Sequence, residues 1–181
     1  MELKELIKED STFSESSFLA KVDNTYIMLL SAIMTDNLPK VKHKLSATLY
    51  EKYNDFLKEL NSNNQQQLYD ELNVKSSEII SIDKTPEKYI IEVKLISRYM
   101  NYQIDKTTKE YISGINDHRI EKTNYLTFEK LISAKDSGVI KKCPGCNASI
   151  DSNRTGICPY CGTSFNLVDY DWILTDLTEG E

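Results

Sequence analysis

Lys88-Tyr-Ile-Ile-Glu-Val-Lys-Leu-Ile-Ser-Arg-Tyr-Met-Asn-Tyr102 alternates in character along its length. Tyr89, Ile91, Val93 and Leu95 fall on one face, while Glu92, Lys94 and Arg98 fall on the other. A period of two marks a strand with one face on a core and one toward water. Such a strand needs neighbours at its edges and a second layer over its apolar face.

The neighbours are legible on both sides. Upstream, Leu72, Val74, Ile80 and Ile82 share one parity, interrupted at Ser76 and Glu78, and Lys84-Thr85-Pro86 turns the chain. Downstream, Asp105 to Lys109 is a polar turn and Glu110 to Ser113 a short return strand. A loop through Gly114 to Arg119 then leads to a strand from Ile120 to Ser133, with Leu126, Phe128 and Ile132 on one face. Asp136-Ser137-Gly138 is a turn, and Val168, Tyr170, Trp172 and Leu174 alternate in a final strand.

The covering layer comes first in the chain. Residues 1–12 read as a short charged arm. Ser14 stands at an N-cap position, Glu15 follows at the positive helix end, and Phe13 and Phe18 are placed as a hydrophobic staple. Phe18, Val22, Tyr26, Leu29, Leu30 and Ile33 recur at helical spacing. Asp36-Asn37 and Pro39 end that helix and open a short one carrying Lys40, Lys42, His43 and Lys44, which reads as a solvated basic face. Ser46 caps the next helix, whose buried face is Leu49, Tyr53, Phe56 and Leu60. Asn61 to Gln67 is a polar break before a last helical turn around Leu68-Tyr69. Helices first and long strands after define an α+β class, with helices packed on one face of a curved antiparallel sheet. A sheet curling around helices encloses a cone, and Tyr26, Leu30, Tyr89, Ile91, Val93 and Leu95 are the residues expected to line an apolar interior.

All four cysteines lie between the last two long strands, as Cys143-Pro-Gly-Cys146 and Cys158-Pro-Tyr-Cys161. Two C-x-x-C pairs at this separation have zinc-ribbon spacing, each forming a knuckle that offers two thiolates to one metal. Asn147 and Gly162 follow the second thiolates, where the chain must turn away, and these residue types enter left-handed conformations at least cost. Four sulfurs suit tetrahedral zinc, with iron second. A closed four-thiolate shell leaves no position for an activated water, so the metal is structural, one zinc per chain. The division that follows is an arm at 1–12, a cone domain at 13–138, a zinc ribbon at 139–165 and the last strand at 166–178.

The 181 residues carry a formal net charge of −6, and four thiolates on one divalent cation would make it more negative, which argues against a nucleic-acid partner. The first twelve residues lack the apolar run of a signal peptide, and the most apolar stretch, Tyr26 to Met34, is too short to span a membrane. Paired free cysteines point to a reducing cytoplasm.

Several stretches together resemble one family. They are Phe13 to Val22, Asp36-Asn-Leu-Pro-Lys-Val41, Leu45-Ser-Ala-Thr-Leu-Tyr50, the hairpin from Tyr99 to Ile112, and Asp169-Tyr-Asp-Trp-Ile-Leu174. The chain from about Phe13 onward is similar to bacterial members of the Tim44-like domain family, some of which carry a zinc ribbon before the aspartate–tryptophan strand. The resemblance implies a cone fold like those of nuclear transport factor two and cystatin. It also implies a link to protein transport or peripheral membrane association, since the mitochondrial relative tethers a heat-shock chaperone to a translocation channel. The extended N-terminal segment of that relative and the transmembrane segment of many bacterial relatives are not seen here. Fold and metal site therefore carry over, and the tethering role does not.

Three functions compete. A non-catalytic module would hold a protein segment or a lipid in the cone. A small-molecule enzyme of isomerase or dehydratase type would use buried carboxylates and tyrosines there. It finds no acid–base constellation: His43 sits in a basic run, His118 lies beside Asp117 and Arg119, and Asp169 and Asp171 read as exposed edge charges. A nucleic-acid binder would have only Lys141, Lys142, Arg154 and the lone aromatic Tyr160 on the ribbon, with Asp151 opposing them. The binding module is the expectation.

Overall fold

The computed structural model describes residues 1–134, 140–143, 145–151, 157–164 and 171–180. In chain order these form α1 (Leu3–Glu9), α2 (Glu15–Met34), a 3₁₀ helix (Leu38–Lys44), α3 (Ala47–Ser62), β1 (Gln65–Lys84), β2 (Lys88–Asp105), β3 (Tyr111–Leu131), β4 (Ile140–Lys142), β5 (Ser149–Asp151) and β6 (Ile173–Glu179). The main sheet is antiparallel in the order β1-β2-β3-β6, and β4 and β5 make a separate two-stranded ribbon. Helices lie over one face of this sheet, so the α+β class expected from the order of periodicities is what the chain adopts.

The caps are where the sequence places them. Ser14 accepts from the Ser17 amide at the start of α2, and Ser46 accepts from the Leu49 amide at the start of α3. The Phe13 and Phe18 rings are 5.6 Å apart, and Phe18 stands edge-on to Phe128 of β3 and to Trp172. Under α2, Ile91, Val93, Leu95, Leu126 and Phe128 are fully buried. At about 1.5–3 kcal/mol for each side chain taken out of water, this layer is the main source of stability.

Several elements differ from the sequence expectation, each for a physical reason. The stretch Asn61–Gln67 is no break: α3 runs through Ser62 and β1 starts at Gln65, so Leu68-Tyr69 is strand rather than helix. Polar residues serve there because pairing satisfies them; the buried Gln67 amide donates to Asn101 Oδ1 at 2.7 Å and to the Tyr102 carbonyl at 3.1 Å. The interrupted parity of β1 comes from register shifts between Asp70 and Asn73, Val74 and Ser76, and Ile79 and Ser81. Each bulge reverses which side chains face inward, so Ile79 packs on the core and Ile80 is exposed. Gly114 to Arg119 is part of β3 rather than a loop. Its residues are almost all exposed, so no burial imposes alternation. Gly114 itself has φ +102°, and a Cβ there would lie 2.4 Å from the Asn101 carbonyl oxygen. Ile132 lies beyond the end of β3 and is exposed.

The basic run is only half solvated: Lys40 and Lys42 are exposed, whereas His43 and Lys44 are 1% and 2% exposed. The 3₁₀ turn packs against α2 and α3, and the next residue, Leu45, makes a parallel bridge to Leu174 of β6. Asp171 is likewise no edge charge. It is buried, paired with Lys21 of α2 at 2.5 Å, and accepts from the Trp172 amide at 2.7 Å. Trp172, Ile173 and Leu174 are all buried, so strict alternation does not hold there, while Val168, Asp169 and Tyr170 lie outside the described residues, as do Asp136-Ser137-Gly138 and Arg154. Residues 1–12 contain α1, whose Leu6 is fully buried in the main core. Asp10 pairs with the buried Lys130 of β3 at 2.5 Å, and Glu9 with Lys84 at 2.7 Å.

Candidate metal centre and tyrosine-lined cavity

The four cysteines come together. One sulfur from each of Cys143, Cys146, Cys158 and Cys161 lies within 4.8 Å of the other three, and all are free thiols. Two similar knuckles bring this about. In the first, the Cys143 amide donates to the Ala148 carbonyl and the Asn147 amide to the Cys143 carbonyl, both at 2.9 Å. In the second, the Cys158 amide donates to Thr163 and the Gly162 amide to Cys158, again at 2.9 Å. Asn147 has φ 61° and Gly162 φ 75°, the left-handed turns expected after each second cysteine. Gly145 permits the closure, since a Cβ there would meet Thr163 Oγ1 at 2.2 Å.

Four thiols this close cannot all ionise without a cation. Hydrogen bonds from Thr163 bring Cys161 down to about 6, and backbone amides, Cys146 first and then Gly145, lower Cys143. Cys146 gains a lowering hydrogen bond from the Ala148 amide, but burial and the three neighbouring sulfurs push it up to about 12. The cluster could therefore hold a metal ion, whose charge would let the remaining thiols ionise.

The second feature is a cavity of about 270 Å³ among α2, α3 and the sheet. Leu30, Ile33, Phe56 and Leu177 supply apolar wall, and Tyr26, Tyr53, Tyr69 and Tyr99 ring it. Tyr26 is held from behind: its hydroxyl is 2.8 Å from Ser97 Oγ and accepts from Asn124 Nδ2 at 3.2 Å. Tyr69 and Tyr99 meet edge to face at 5.3 Å. Burial raises all four phenols, and carries Tyr53, Tyr69 and Tyr99 well above the usual tyrosine range. At the mouth, Lys52 Nζ donates to the Leu177 carbonyl at 3.2 Å and Glu179 pairs with Lys122 at 3.2 Å.

Of the six residues expected to line an apolar interior, Tyr26 and Leu30 do so. Tyr89, Ile91, Val93 and Leu95 do not. They are buried packing, and Tyr89 points its hydroxyl at Glu9 of α1. The sequence reading missed Tyr69, Tyr99 and Asn124. Tyr99 carried a signal, because it continues the inward parity of Leu95 and Ser97. His118 is exposed and bonded to Asp117 at 2.7 Å, and Tyr160 is 74% exposed on the second knuckle.

Helices on one face of an antiparallel meander, a cavity between the layers and a four-cysteine module before the last strand together define an α+β domain with an inserted cysteine ribbon. The chain belongs to the Tim44-like domain family, whose model matches residues 1–138. The cysteine module and β6 lie beyond that match. Among solved structures, it is similar to the intermembrane-space region of the chloroplast protein ARC6 at 10% identity, covering 92% of this chain and 96% of that one with a TM-score of 0.48. No match is found among curated proteins. No helix among the described residues is long and apolar enough to cross a membrane.

Proposed function

We propose that the protein is a non-catalytic binding module that receives an apolar group of a protein segment or lipid in the tyrosine-lined cavity, and that a structural zinc holds its ribbon together. The observation that carries this reading is the cavity itself: about 270 Å³ of largely apolar space kept open between helices and sheet. Close-packed interiors rarely leave such space unless something fills it. Its contents support a role other than catalysis. The phenols are held protonated, and Glu179, the carboxylate at the mouth, is paired with Lys122. Zinc is supported by the sulfur spacing. Tetrahedral coordination at about 2.3 Å places sulfurs about 3.8 Å apart, and Cys143–Cys161 and Cys146–Cys158 stand at 3.5 and 3.7 Å. Family membership supports a link to protein transport or the membrane periphery, and the four free thiols support a reducing, cytoplasmic setting.

Filling the cavity tests the reading. Leu30→Trp should abolish saturable binding of a fluorescent lipid or a hydrophobic peptide while far-UV circular dichroism stays unchanged. Binding that persists with the cavity filled, or a parent protein that binds neither probe, would refute it.

A further inference from the structure

We infer that the group this cavity takes is a single ring-sized apolar moiety ending in a carbonyl or carboxylate oxygen acceptor, hydrogen-bonded by the hydroxyls of Tyr53 and Tyr69. The inference rests on the reading of the cavity as a binding site and names the chemistry it selects.

Size sets the first limit. A 150 Å³ apolar cavity binds benzene, so 270 Å³ scales to about eleven non-hydrogen atoms. Two acyl chains do not fit, and a bicyclic compound, an aromatic side chain or one short chain does.

Hydrogen bonding sets the second. The Tyr26 hydroxyl is committed to Ser97 and Asn124. Those of Tyr53 and Tyr69 line the same cavity and have no hydrogen-bond partner among the described residues. A phenol hydroxyl at a largely apolar wall is a donor in need of an acceptor. Burial keeps both protonated, so they remain donors throughout the physiological range.

Charge sets the third. Lys52 and Glu179 at the mouth are already engaged with the Leu177 carbonyl and with Lys122. Glu179 is therefore not available to neutralise an ammonium inside, which would be desolvated at large cost, whereas Lys52, bonded to a neutral carbonyl, keeps its positive charge. Oxygen acceptors remain: the carbonyl of a ketone, ester or amide, or a carboxylate.

The test uses the full chain with its metal bound. By isothermal titration, 1-indanone should bind once per chain and about tenfold more tightly than indane, since two hydrogen bonds to a carbonyl separate the two compounds. In the Tyr53→Phe/Tyr69→Phe double variant, which keeps both rings, 1-indanone should fall to the affinity of indane while indane is unaffected. Equal affinity of the two compounds in the parent, or an unchanged preference in the double variant, overturns the proposal. If both nonetheless bind and Leu30→Trp removes them, the cavity reading stands alone; if neither binds, both fall. Displacement of 1-indanone by N-acetylphenylalanine methylamide assigns the natural group to a protein segment, and displacement by methyl decanoate assigns it to a lipid ester. Displacement by neither overturns the proposal.

Discussion

The main sheet and the cysteine ribbon are both antiparallel, yet they are held by different physics. Strand β2 is 18 residues long and lies on a core that includes Phe18, Tyr26, Ile91, Val93, Leu126 and Phe128. Strands β4 and β5 have three residues each, and the separate buried cluster there is Cys143, Ile150 and Cys158. A lone two-stranded hairpin is marginal in water. The one isoleucine buried there among the described residues, at about 1.5–3 kcal/mol, cannot offset the ordering of two knuckles at about 1–2 kcal/mol per residue. The sheet is a hydrophobic structure that happens to contain polar groups. The ribbon is a cysteine cluster that could hold a metal ion and happens to contain two strands.

The largest expected effect breaks this comparison at the metal. The purified chain should hold one zinc by elemental analysis, and Cys143→Ala should lose it. Structural zinc contributes about 10–16 kcal/mol of apparent binding energy to a small module, so chelation should melt the ribbon and open it to proteolysis between Ile140 and Phe165. The cost passed to the main domain is far smaller. A melted ribbon replaces a short connection by one about five times longer, worth about 1.4 kcal/mol of closure entropy, against a typical 5–15 kcal/mol of stability. Trp172, 5.1 Å from Phe18 and 6.0 Å from Phe13, reports on the division. Its emission should stay blue-shifted after chelation. A red shift together with loss of the cooperative thermal transition would show that the two regions share one core.

The same contrast explains what was legible in the sequence. Features decided within a few residues were readable: the Ser14 and Ser46 caps, the alternation of β2, the paired cysteines and the left-handed turns at Asn147 and Gly162. Features decided by distant partners were not. Gln65 to Gln67 look like a loop until β2 supplies their hydrogen bonds, and Lys44, His43 and Asp171 look solvated until packing covers them. The cavity was half legible for a related reason. The inward face of β2 runs Leu95, Ser97, Tyr99, and nothing local says where the helices stop covering it. Residues up to Ser97 are packed solid, and Tyr99 meets the open space.

A smaller effect sharpens the comparison from the other side, at the junction of the two regions. Asp171 is 1% exposed and held by Lys21, itself 12% exposed, immediately before the last strand. Lys21→Ala leaves a buried carboxylate without its cation, which costs about 3–5 kcal/mol when nothing else compensates. The Trp172 amide still donates to it, so about 3 kcal/mol, the lower end, is expected in urea unfolding. The zinc content should not change. Loss of metal from this variant would mean that the ion pair, and not the knuckles alone, builds the cysteine site.

The smallest effect concerns pH and separates acid sensitivity of the main domain from that of the ribbon. Asp10, after α1, is partly desolvated, which raises its pKa, but hydrogen bonds from Lys130 and Thr12 outweigh this and hold it below the ordinary carboxylate range. A folded-state pKa below the unfolded value of about 3.9 stabilises fully above that value and is lost as pH falls through the folded one. The pair therefore supports α1 at neutral pH and releases it in acid. Lys130→Met should cost about 1.5 kcal/mol at pH 7, the scale of one charged hydrogen bond, and progressively less as the pH falls through the folded-state pKa of Asp10. Protonation of the cysteines also expels metal in acid, but both proteins share that loss, so the difference between their urea midpoints cancels it. A difference that does not shrink in acid, even where Asp10 is protonated, would mean that Lys130 stabilises the sheet through its aliphatic stem and not through Asp10.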